Sequence, residues 1–446
     1  MSEQSTNKVV LAYSGGLDTS VILKWLIEQG HQVVAGIIDV GQDENFAAAE
    51  AKARVIGAAD VHLVDARREF VTDFVFPALQ ANALYEGRYL MGTSLARPVI
   101  AKHLAEIAKQ EGTNVLAHGA TGKGNDQVRF ELAWYSMIPG VQIISPWKTP
   151  AFLAEFQGRP DMIAYAQRHG IPIKATTAQP WSEDDNIFHI SHEAGILEDP
   201  SREAPEEVYS RSMSPEKAPD LAVRIQIMFE KGIPVRVVHS SAVDISEVHP
   251  SKVVDIRNDP VALLKYLNLV GGAHGIGRLD MVENRFVGIK SRGVYETPGG
   301  TILHAAHRDL EGITMDREVM RIRDTLIPEI AGKIYNGFWF SPEMHLLFGM
   351  VRSSQEYVTG TVTMKLYKGN AMPVARASPW SLYDAAKSSM DVAGGYNQQD
   401  AAGFIRVTAN RLTVSAEREK AYGQEEMSRL LRQAGARAAE RARRTR

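Results

Sequence analysis

Apolar runs alternate with helical patterns through the first 173 residues of the 446-residue chain. Short apolar runs predict five buried strands, over residues 9–12, 33–39, 61–64, 115–118 and 142–145. Apolar residues at helical spacing predict helices over residues 21–29, 44–57 and 69–84, a helix that begins near Pro98 and ends at residue 111, and one from about Asp126. Strands that alternate with helices predict an α/β fold with a doubly wound parallel sheet, which binds ligands at its carboxyl edge.

The pattern changes after residue 173. Residues 176–220 are rich in Pro, Ser, Glu and Asp, which predicts loops with short helices. Alternation at Val223, Ile225, Val235 and Val237 then predicts strands, and residues 358–375 predict a hairpin. The chain is further predicted to form a long helical stretch over residues 305–330 and a helical tail over residues 411–446. We therefore predict three parts, over residues 1–175, 176–405 and 406–446.

The loop after the first strand, Ser14-Gly15-Gly16-Leu17-Asp18-Thr19-Ser20, has the features of a phosphate site. Gly15 and Gly16 let the backbone turn sharply and approach an anion, and the first N–H groups of a helix attract one. The loop matches neither G-x-x-x-x-G-K-[ST] nor G-x-G-x-x-G. Asp18 would repel phosphate, so it either shares a Mg²⁺ ion with the phosphate or caps the helix. A capped turn without a ligand is the less favoured alternative.

Composition and charge narrow the class of protein. The chain is 44% hydrophobic with a net charge of −3, which is typical of a globular protein without general affinity for nucleic acid. No apolar run is long enough for a membrane span and no apolar stretch precedes the first strand, so we expect a cytoplasmic protein. The absence of cysteine excludes disulfides, thiolate zinc sites and a cysteine nucleophile.

The carboxyl-terminal residues 429–446 are rich in arginine. We expect this helix to pack on a sister subunit with its arginines in water, and nucleic-acid binding is the less favoured alternative. The pairs His189/His192 and His304/His307 have the spacing of metal ligands but lack a third ligand motif, so we expect no metal centre.

A second glycine-rich loop, HGATGKGNDQVRF, spans residues 118–130. Lys123 can neutralise phosphate, whereas Asp126 and Arg129 stand three residues apart on one face of the predicted helix. A carboxylate facing this site suits a substrate amine, and an arginine suits an α-carboxylate. The alternative is an ordinary surface ion pair.

The first loop resembles the pyrophosphate-binding motif of the ATP pyrophosphatases, and both loops together closely resemble the argininosuccinate synthase family. The second motif, G-x-T-x-K-G-N-D-x-x-R-F, is matched in full from Gly119 to Phe130. Residues 84–98, 179–198 and 277–300 also resemble that family. The chain continues past Gly423 with the arginine-rich tail, beyond the length expected of shorter members.

The resemblance implies a nucleotide-binding domain of the adenine nucleotide alpha hydrolase type over residues 1–175. A synthetase and multimerisation domain over residues 176–405 and a C-terminal oligomerisation helix would follow it. It also implies a ligase that joins L-citrulline to L-aspartate through citrullyl-AMP, using ATP with Mg²⁺ and releasing AMP and pyrophosphate, in arginine biosynthesis or the urea cycle. A homotetramer is expected.

The resemblance also implies the ligands of each substrate. ATP would be bound by Ala12, Tyr13, Ser14, Gly15, Gly16, Leu17, Asp18, Thr19, Ser20, Ile38, Ala117, His118, Gly119, Ala120, Thr121, Gly122, Lys123, Gly124 and Asn125. Aspartate would be bound by Thr121, Asn125 and Asp126. Citrulline would be bound by Tyr89, Ser94, Asn125, Arg129, Ser182, Ser191, Glu283 and Tyr295.

Neither chemical step needs a protein nucleophile, because alignment and charge stabilisation suffice. Asp18 and Asp126 are the catalytic candidates, and Asp126 could ease deprotonation of the amine. Arg97 could hold a carboxylate or lie at the surface. The alternatives are another adenylating ligase of the superfamily, a nucleotide sensor without turnover, and an RNA-binding protein led by the arginine-rich tail.

Overall fold

A computed structural model describes residues 7–122, 124–172, 181–240, 253–389 and 395–444. The strands are β1 Lys8–Ala12, β2 Gln32–Asp39, β3 Asp60–Asp65, β4 Val115–Ala117, β5 Gln142–Ile144, β6 Ser182–Asp185, β7 Ile190–Glu193, β8 Val223–Glu230, β9 Ile233–Ser240, β10 Val253–Arg257, β11 Arg278–Asn284, β12 Lys290–Glu296, β13 Gly360–Tyr367 and β14 Asn370–Ala377. The α-helices are α1 Leu17–Glu28, α2 Phe46–Ile56, α3 Arg67–Glu69, α4 Phe76–Gln80, α5 Gly92–Gln110, α6 Asp126–Met137, α7 Pro150–Glu155, α8 Arg159–Arg168, α9 Pro260–Ala273, α10 Pro298–Thr314, α11 Arg317–Asn336, α12 Pro342–Ser354, α13 Ala385–Ser388, α14 Gln398–Ala421 and α15 Gln424–Arg444.

The first five strands form one parallel sheet in the order β3-β2-β1-β4-β5. Successive side chains of β1 alternate between two apolar cores, with Leu11 packed in the same cluster as Trp25 of α1 and Val10 in the same cluster as Leu104 of α5. Helices therefore cover both faces, and the predicted doubly wound α/β sheet is confirmed. The carboxyl ends of β1, β2 and β4 meet at one edge, where such sheets bind ligands.

The remaining strands form two antiparallel sheets, in the orders β10-β9-β8-β13-β14 and β11-β12-β7-β6. The predicted hairpin is confirmed as β13 and β14, which turn at Lys368 and Gly369 with φ of 40° and 79°. In the second of these sheets, Glu283 of β11 lies opposite Ser291, and Tyr295 of β12 lies opposite Ser191 of β7. The α+β architecture predicted for the second half of the chain is therefore confirmed.

Several helix boundaries differ from the predictions. Helix α1 begins at Leu17, so the predicted loop residues Asp18, Thr19 and Ser20 form its first turn. The helix predicted over residues 69–84 is interrupted by a π-helical turn over Phe70–Val75 and ends at Gln80. The prediction that Pro98 lies near a helix start is wrong, because α5 begins at Gly92 and carries Pro98 inside it. Proline lacks a backbone N–H and so removes one hydrogen bond from the helix, and the tertiary packing of α5 compensates for this loss.

The helical stretch predicted over residues 305–330 and the predicted helical tail are confirmed as helical, but each is divided into two helices. Helices α10 and α11 are separated at Asp316, whose side chain accepts hydrogen bonds from the N–H groups of Glu318 and Val319 and so begins a new helix. Helices α14 and α15 are separated at Gly423, where a φ of +87° ends the first of them.

A buried ion network fixes α11 against neighbouring elements. Arg323 of α11 donates to both oxygens of Glu311 on α10, at Oε1 2.5 Å and Oε2 2.6 Å. Asn82, which follows α4, donates to the same carboxylate at 2.7 Å, and Gln355 donates to it at 2.9 Å. Desolvation raises the pKa of Glu311, but the charges of His307 and Arg323 and the hydrogen bonds from Arg323 and Gln355 outweigh it and lower the pKa to about 2. The network holds the helix that carries Tyr335.

Residues Met1–Leu382 form one compact unit, and Tyr383–Arg446, which contain α13, α14 and α15, form another. The division at residues 175 and 405 stays a prediction. No helix in the described part of the chain combines the length and apolarity needed to cross a membrane.

Candidate active site

The loop between β1 and α1 is shaped by Gly15 and by helix α2 beneath it. Gly15 has a φ of +75°, and a Cβ atom there would lie 2.8 Å from the Cβ of Ala49. Lys52, one turn further along α2, donates a 2.9 Å hydrogen bond to the Gly15 carbonyl. The loop backbone therefore lies directly on α2, and only glycine fits at this position.

The hydroxyl groups of the loop divide into internal and accessible ones. Ser20 is buried, donates to the Gly16 carbonyl at 2.6 Å and lies 3.1 Å from the hydroxyl of Tyr13. Ser14 and Thr19 share a 3.1 Å hydrogen bond and both line a cavity. Ser20 thus holds the loop, whereas Ser14 and Thr19 are placed to meet a ligand.

Asp18 lies in the first turn of α1. The cap of this helix is Gly16 and no side chain bonds to it, so Asp18 does not cap the helix. Desolvation by neighbouring protein atoms raises the pKa of Asp18, and the charge of Arg159 opposes the shift. Its exposed carboxylate stands beside the free N–H groups at the start of α1 and can hold a cation there.

A cavity of about 670 Å³ opens at the carboxyl edge of the parallel sheet. The predicted ATP residues that line it are Ala12, Tyr13, Ser14, Thr19, Ile38, Gly119 and Ala120. The other walls include Gly36, Asp43, Arg97, Phe130, Asp184 and Ser210. We call it the nucleotide cavity, because it is lined both by the loop after β1, which the sequence predicts to bind phosphate and which we call the phosphate loop, and by the strand end at Ile38.

The second glycine-rich loop is held by polar side chains from inside. His118 is fully buried, and its Nδ1 accepts a hydrogen bond from the N–H of Ala120 at 3.2 Å. Its Nε2 lies 3.0 Å from Glu131. Gln127 donates to the carbonyls of Gly122 and Gly124 at 2.6 and 3.2 Å. His118 therefore supports the loop without lining the nucleotide cavity.

Several predicted ATP residues are placed elsewhere. Ala117 is buried in β4, and Lys123 lies outside the described residues. The residues Thr121, Gly124 and Asn125 line a second, smaller cavity of about 170 Å³.

This second cavity, the acceptor cavity, is lined by residues from several distant parts of the chain. They are Tyr89, Thr93, Ala120, Thr121, Gly124, Asn125, Asp126, Arg129, Asp184, Ser191, Glu193, Glu283, Arg285, Tyr295 and Tyr335. Ala120, Asp126 and Asp184 also line the nucleotide cavity, so the two cavities meet at these residues.

Asp126 lies at this junction between two arginines. Arg97 donates to its Oδ2 at 2.8 and 3.0 Å, and Arg129 donates to its Oδ1 at 2.8 Å. Arg97 also contacts Asp184 at 2.9 Å. Desolvation raises the pKa of Asp126, but the charges of Arg97 and Arg129 outweigh it and lower the pKa to about 2. The side chains at the junction thus form an ordered row of alternating charge.

Glu283 is the buried acid of the acceptor cavity. Tyr335 donates to its Oε1 at 2.6 Å and Tyr295 donates to its Oε2 at 2.9 Å. The ring of Tyr89 stacks on that of Tyr295, with centroids 4.1 Å apart. Desolvation raises the pKa of Glu283, although both tyrosine hydrogen bonds oppose the shift. A carboxylate fixed between two phenols in an aromatic pocket is suited to an ammonium group.

Two of the predicted citrulline residues do not line the acceptor cavity. Ser94 is fully buried in α5, and its hydroxyl has no hydrogen-bond partner among the described residues. Ser182 is exposed at the start of β6, where it lies opposite Glu193. The other six, Tyr89, Asn125, Arg129, Ser191, Glu283 and Tyr295, are brought together as predicted.

The sequence predictions missed five lining residues, Thr93, Asp184, Glu193, Arg285 and Tyr335. The two-residue period of a strand could have indicated Glu193 from Ser191, since both lie in β7. Arg285 lies in the turn after β11, where that period does not apply. No sequence pattern indicated that Tyr335 lines the cavity, because it lies in α11, far along the chain from the other lining residues. Arg97, which the sequence left open between site and surface, lines the nucleotide cavity with a side chain that is 14% exposed.

Both members of the first predicted histidine pair lie close to other polar side chains. His189 is buried and lies 2.9 Å from the hydroxyl of Thr93, whereas His192 lies 3.2 Å from Glu296. One other group in the described part of the chain, Asp60, His62 and Glu111, has carboxylate and imidazole atoms close enough for a metal ion. Lys8 already pairs with Glu111 there at 2.9 Å.

Two family models match the chain over nearly all of its folded length. Residues 8–172 match the model described as arginosuccinate synthase N-terminal HUP domain, and residues 181–415 match arginosuccinate synthase C-terminal domain. The chain is 58% identical over 415 residues to the argininosuccinate synthase of Thermotoga sp. (strain RQ2), covering 93% of this chain and 99% of the relative. It is 52% identical over 408 residues to that of Danio rerio, covering 92% and 96%. The chain belongs to the argininosuccinate synthase family.

Proposed function

We propose that the chain is a ligase that joins L-citrulline to L-aspartate with ATP, giving argininosuccinate, AMP and pyrophosphate for arginine biosynthesis. The observation that carries the proposal is the meeting of the nucleotide cavity and the acceptor cavity at Asp126 and Asp184. A nucleotide whose triphosphate lies on the loop after β1 would direct its α-phosphate toward that junction. A ureido group held in the acceptor cavity would meet it there.

The proposed chemistry has two steps. The ureido oxygen of citrulline attacks the α-phosphorus, the bond from that phosphorus to the departing oxygen breaks, and pyrophosphate leaves. The amine of aspartate then attacks the ureido carbon of citrullyl-AMP, the carbon–oxygen bond breaks, and AMP leaves with release of the amine proton. Both steps demand alignment and neutralisation of phosphate charge rather than a protein nucleophile.

The acceptor cavity offers a partner for each charged group of citrulline. Glu283 is placed for the α-ammonium group, and Arg129, held by Asp126 and by the Tyr335 carbonyl at 2.9 Å, for the α-carboxylate. Tyr89 and Ser191 flank the remaining volume, where the ureido group would lie. These assignments support citrulline as the acceptor over other ureido or amide compounds.

Asp126 is better suited to positioning than to proton transfer. A carboxylate with a pKa of about 2 is a weak base toward an ammonium group, and its proton affinity is suppressed by Arg97 and Arg129. It can nevertheless accept hydrogen bonds from the substrate amine while both arginines hold it in place. We propose that Asp126 orients the attacking amine.

A Mg²⁺ ion would accompany the triphosphate. Asp18 is the carboxylate placed to bind this ion, because it is exposed in the first turn of α1 beside the phosphate loop and does not cap the helix. When bound, the ion would neutralise charge on the departing pyrophosphate.

We also propose that the chain assembles as a homotetramer. Helices α14 and α15 expose several large apolar side chains, namely Phe404, Ile405, Val407, Leu412, Val414, Leu430 and Leu431. Such faces are typical of helices that pack on other subunits. Light scattering of the purified protein would give the subunit number, and a monomeric mass at micromolar concentration would contradict the tetramer.

Release of AMP and pyrophosphate tests the reaction. The protein is incubated with ATP, Mg²⁺, citrulline and aspartate, and each substrate is then left out in turn. We expect sustained release only with the complete mixture and a single burst of pyrophosphate without aspartate. Release with another acceptor in place of citrulline would preserve the adenylation chemistry and contradict the substrate assignment. Tight ATP binding without release would favour a nucleotide sensor.

A further inference from the structure

The hairpin between β11 and β12 places Arg285 in the acceptor cavity. Glu283 of β11 and Arg285, the first residue after the end of that strand, both line this cavity. The N–H of Arg285 donates to the Ile289 carbonyl at 2.8 Å and closes the turn. The next residue, Phe286, donates its N–H to Oδ1 of Asn125 at 3.1 Å. Arg285 is therefore held directly beside the second glycine-rich loop.

Arg285 differs from the other cavity arginine in its unused hydrogen-bond donors. Arg129 donates from Nε to the Tyr335 carbonyl and from a terminal nitrogen to Asp126. Among the described residues, the Arg285 guanidinium donates only to the carboxylate of Glu193, which also lines the cavity. A guanidinium carries five N–H donors, so most of those of Arg285 stay available to a ligand.

The amine donor presents more negative charge than its predicted ligands can neutralise. Aspartate carries two carboxylates, whereas Thr121, Asn125 and Asp126 supply a hydroxyl, an amide and a further carboxylate. A buried carboxylate without a cationic partner is costly, and arginine is the side chain that pairs with it best.

Building on the proposed function, we propose that Arg285 binds a carboxylate of the amine donor and so selects aspartate over its uncharged amide, asparagine. Glu193 holds the guanidinium in place before the donor enters. The role of Arg285 is confined to the second step, because citrulline and ATP have their own ligands on the other walls.

Substitution of Arg285 separates the two steps. In R285Q we expect the KM for aspartate to rise about 10- to 100-fold, as for loss of a hydrogen bond between charged groups. The preference for aspartate over asparagine should fall by a similar factor. The burst of pyrophosphate from ATP and citrulline without aspartate should keep its amplitude and its citrulline dependence. R285K keeps the positive charge but lacks the planar guanidinium group with its paired N–H donors, so we expect a smaller rise in the KM for aspartate.

Lys290 provides a matched control from the same hairpin. It is exposed, donates to Asn284 at 2.8 Å and does not line the acceptor cavity, so K290Q removes the same charge without touching the site. We expect K290Q to leave the KM for aspartate unchanged. An unchanged KM in R285Q, or a rise for citrulline equal to that for aspartate, would overturn the inference. If the unaltered protein releases no pyrophosphate with its three substrates, it is the proposed function that fails instead.

Discussion

The nucleotide cavity takes its phosphate end from one continuous stretch, Ala12 to Ser20, whereas the acceptor cavity takes its walls from segments spread between Tyr89 and Tyr335. The first is built mainly from backbone, with Gly15 lying on α2 and Ser20 bonded to Gly16. The second is built from charged and aromatic side chains held by one another. A phosphate needs N–H groups that any short loop can supply, but an amino acid needs opposite charges at fixed separations.

The difference in construction predicts different responses to mutation. A single change in the phosphate loop should strongly weaken ATP binding, because all of its ligand groups depend on the conformation of one short segment. A change in the acceptor cavity should weaken one substrate and spare the others, because each wall comes from a different element. Four substitutions test this contrast, in order of decreasing expected effect.

Gly15→Ala should have the largest effect. The added Cβ would meet Ala49 at 2.8 Å and the backbone would be strained at its positive φ, so the loop must shift. We expect ATP affinity, measured by calorimetry, to fall by roughly 100-fold or more. Gly112→Ala is the matched control, since Gly112 has a φ of +67° with nothing within 4 Å of a Cβ atom. Equal losses in both variants would show that general destabilisation by a strained backbone, rather than a shift of the phosphate loop, explains the effect.

Asp126→Asn should lower kcat by about 100-fold, because it leaves Arg97 and Arg129 without their shared carboxylate. The pKa of Asp126 is about 2, so the group stays ionised throughout the neutral range and titrates only below its ordinary pKa. We therefore expect the variant to lose activity by the same factor at each neutral and alkaline pH. If the loss of activity instead depends on pH, and the variant no longer shows the fall in activity at acid pH that the unaltered protein shows, Asp126 would be identified as a base.

Glu283→Gln should raise the KM for citrulline about 10- to 100-fold and leave the KM for ATP unchanged, because it removes the charge facing the ammonium group. Burial raises the pKa of Glu283, so protonation sets in at a higher pH than for an ordinary glutamate. In the unaltered protein, citrulline affinity should therefore fall as the pH drops through this raised pKa. Steady-state kinetics over a pH series would measure both the KM for citrulline and its dependence on pH. If E283Q still loses citrulline affinity as the pH drops, the assignment of Glu283 to the ammonium group is contradicted.

Tyr335→Phe should have the smallest effect, a rise of about 3- to 10-fold in the KM for citrulline. It removes one 2.6 Å hydrogen bond to Glu283 and leaves the ring and the backbone carbonyl that holds Arg129. Because that hydrogen bond lowers the pKa of Glu283, its loss should also move the acid limb to higher pH. Tyr135→Phe, at an exposed tyrosine of α6, should change neither quantity.

The predictions from sequence were accurate where structure is local. All five strands of the parallel sheet and the start of α6 at Asp126 follow from patterns within a few residues. The misplaced elements had competing local signals. Pro98 indicated a helix start but lies inside α5, and Asp316 interrupts an apolar pattern that otherwise continues from α10 into α11. The packing of α5 decided the first boundary, whereas the local hydrogen bonds of the Asp316 side chain to the first N–H groups of α11 decided the second.

The sequence by itself determined the parallel sheet, the phosphate loop and the family, because periodicity, glycine and motif spacing act over short distances. Only the tertiary structure decided that His118 supports a loop, that Arg97 joins Asp126 to Asp184, and that Tyr335 completes the pocket of Glu283. The roles of Arg97 and Tyr335 depend on contacts between residues far apart in the chain, and that of His118 depends on its burial beneath the loop. Their geometry is set by how sheets and helices pack, and no pattern within one segment records it.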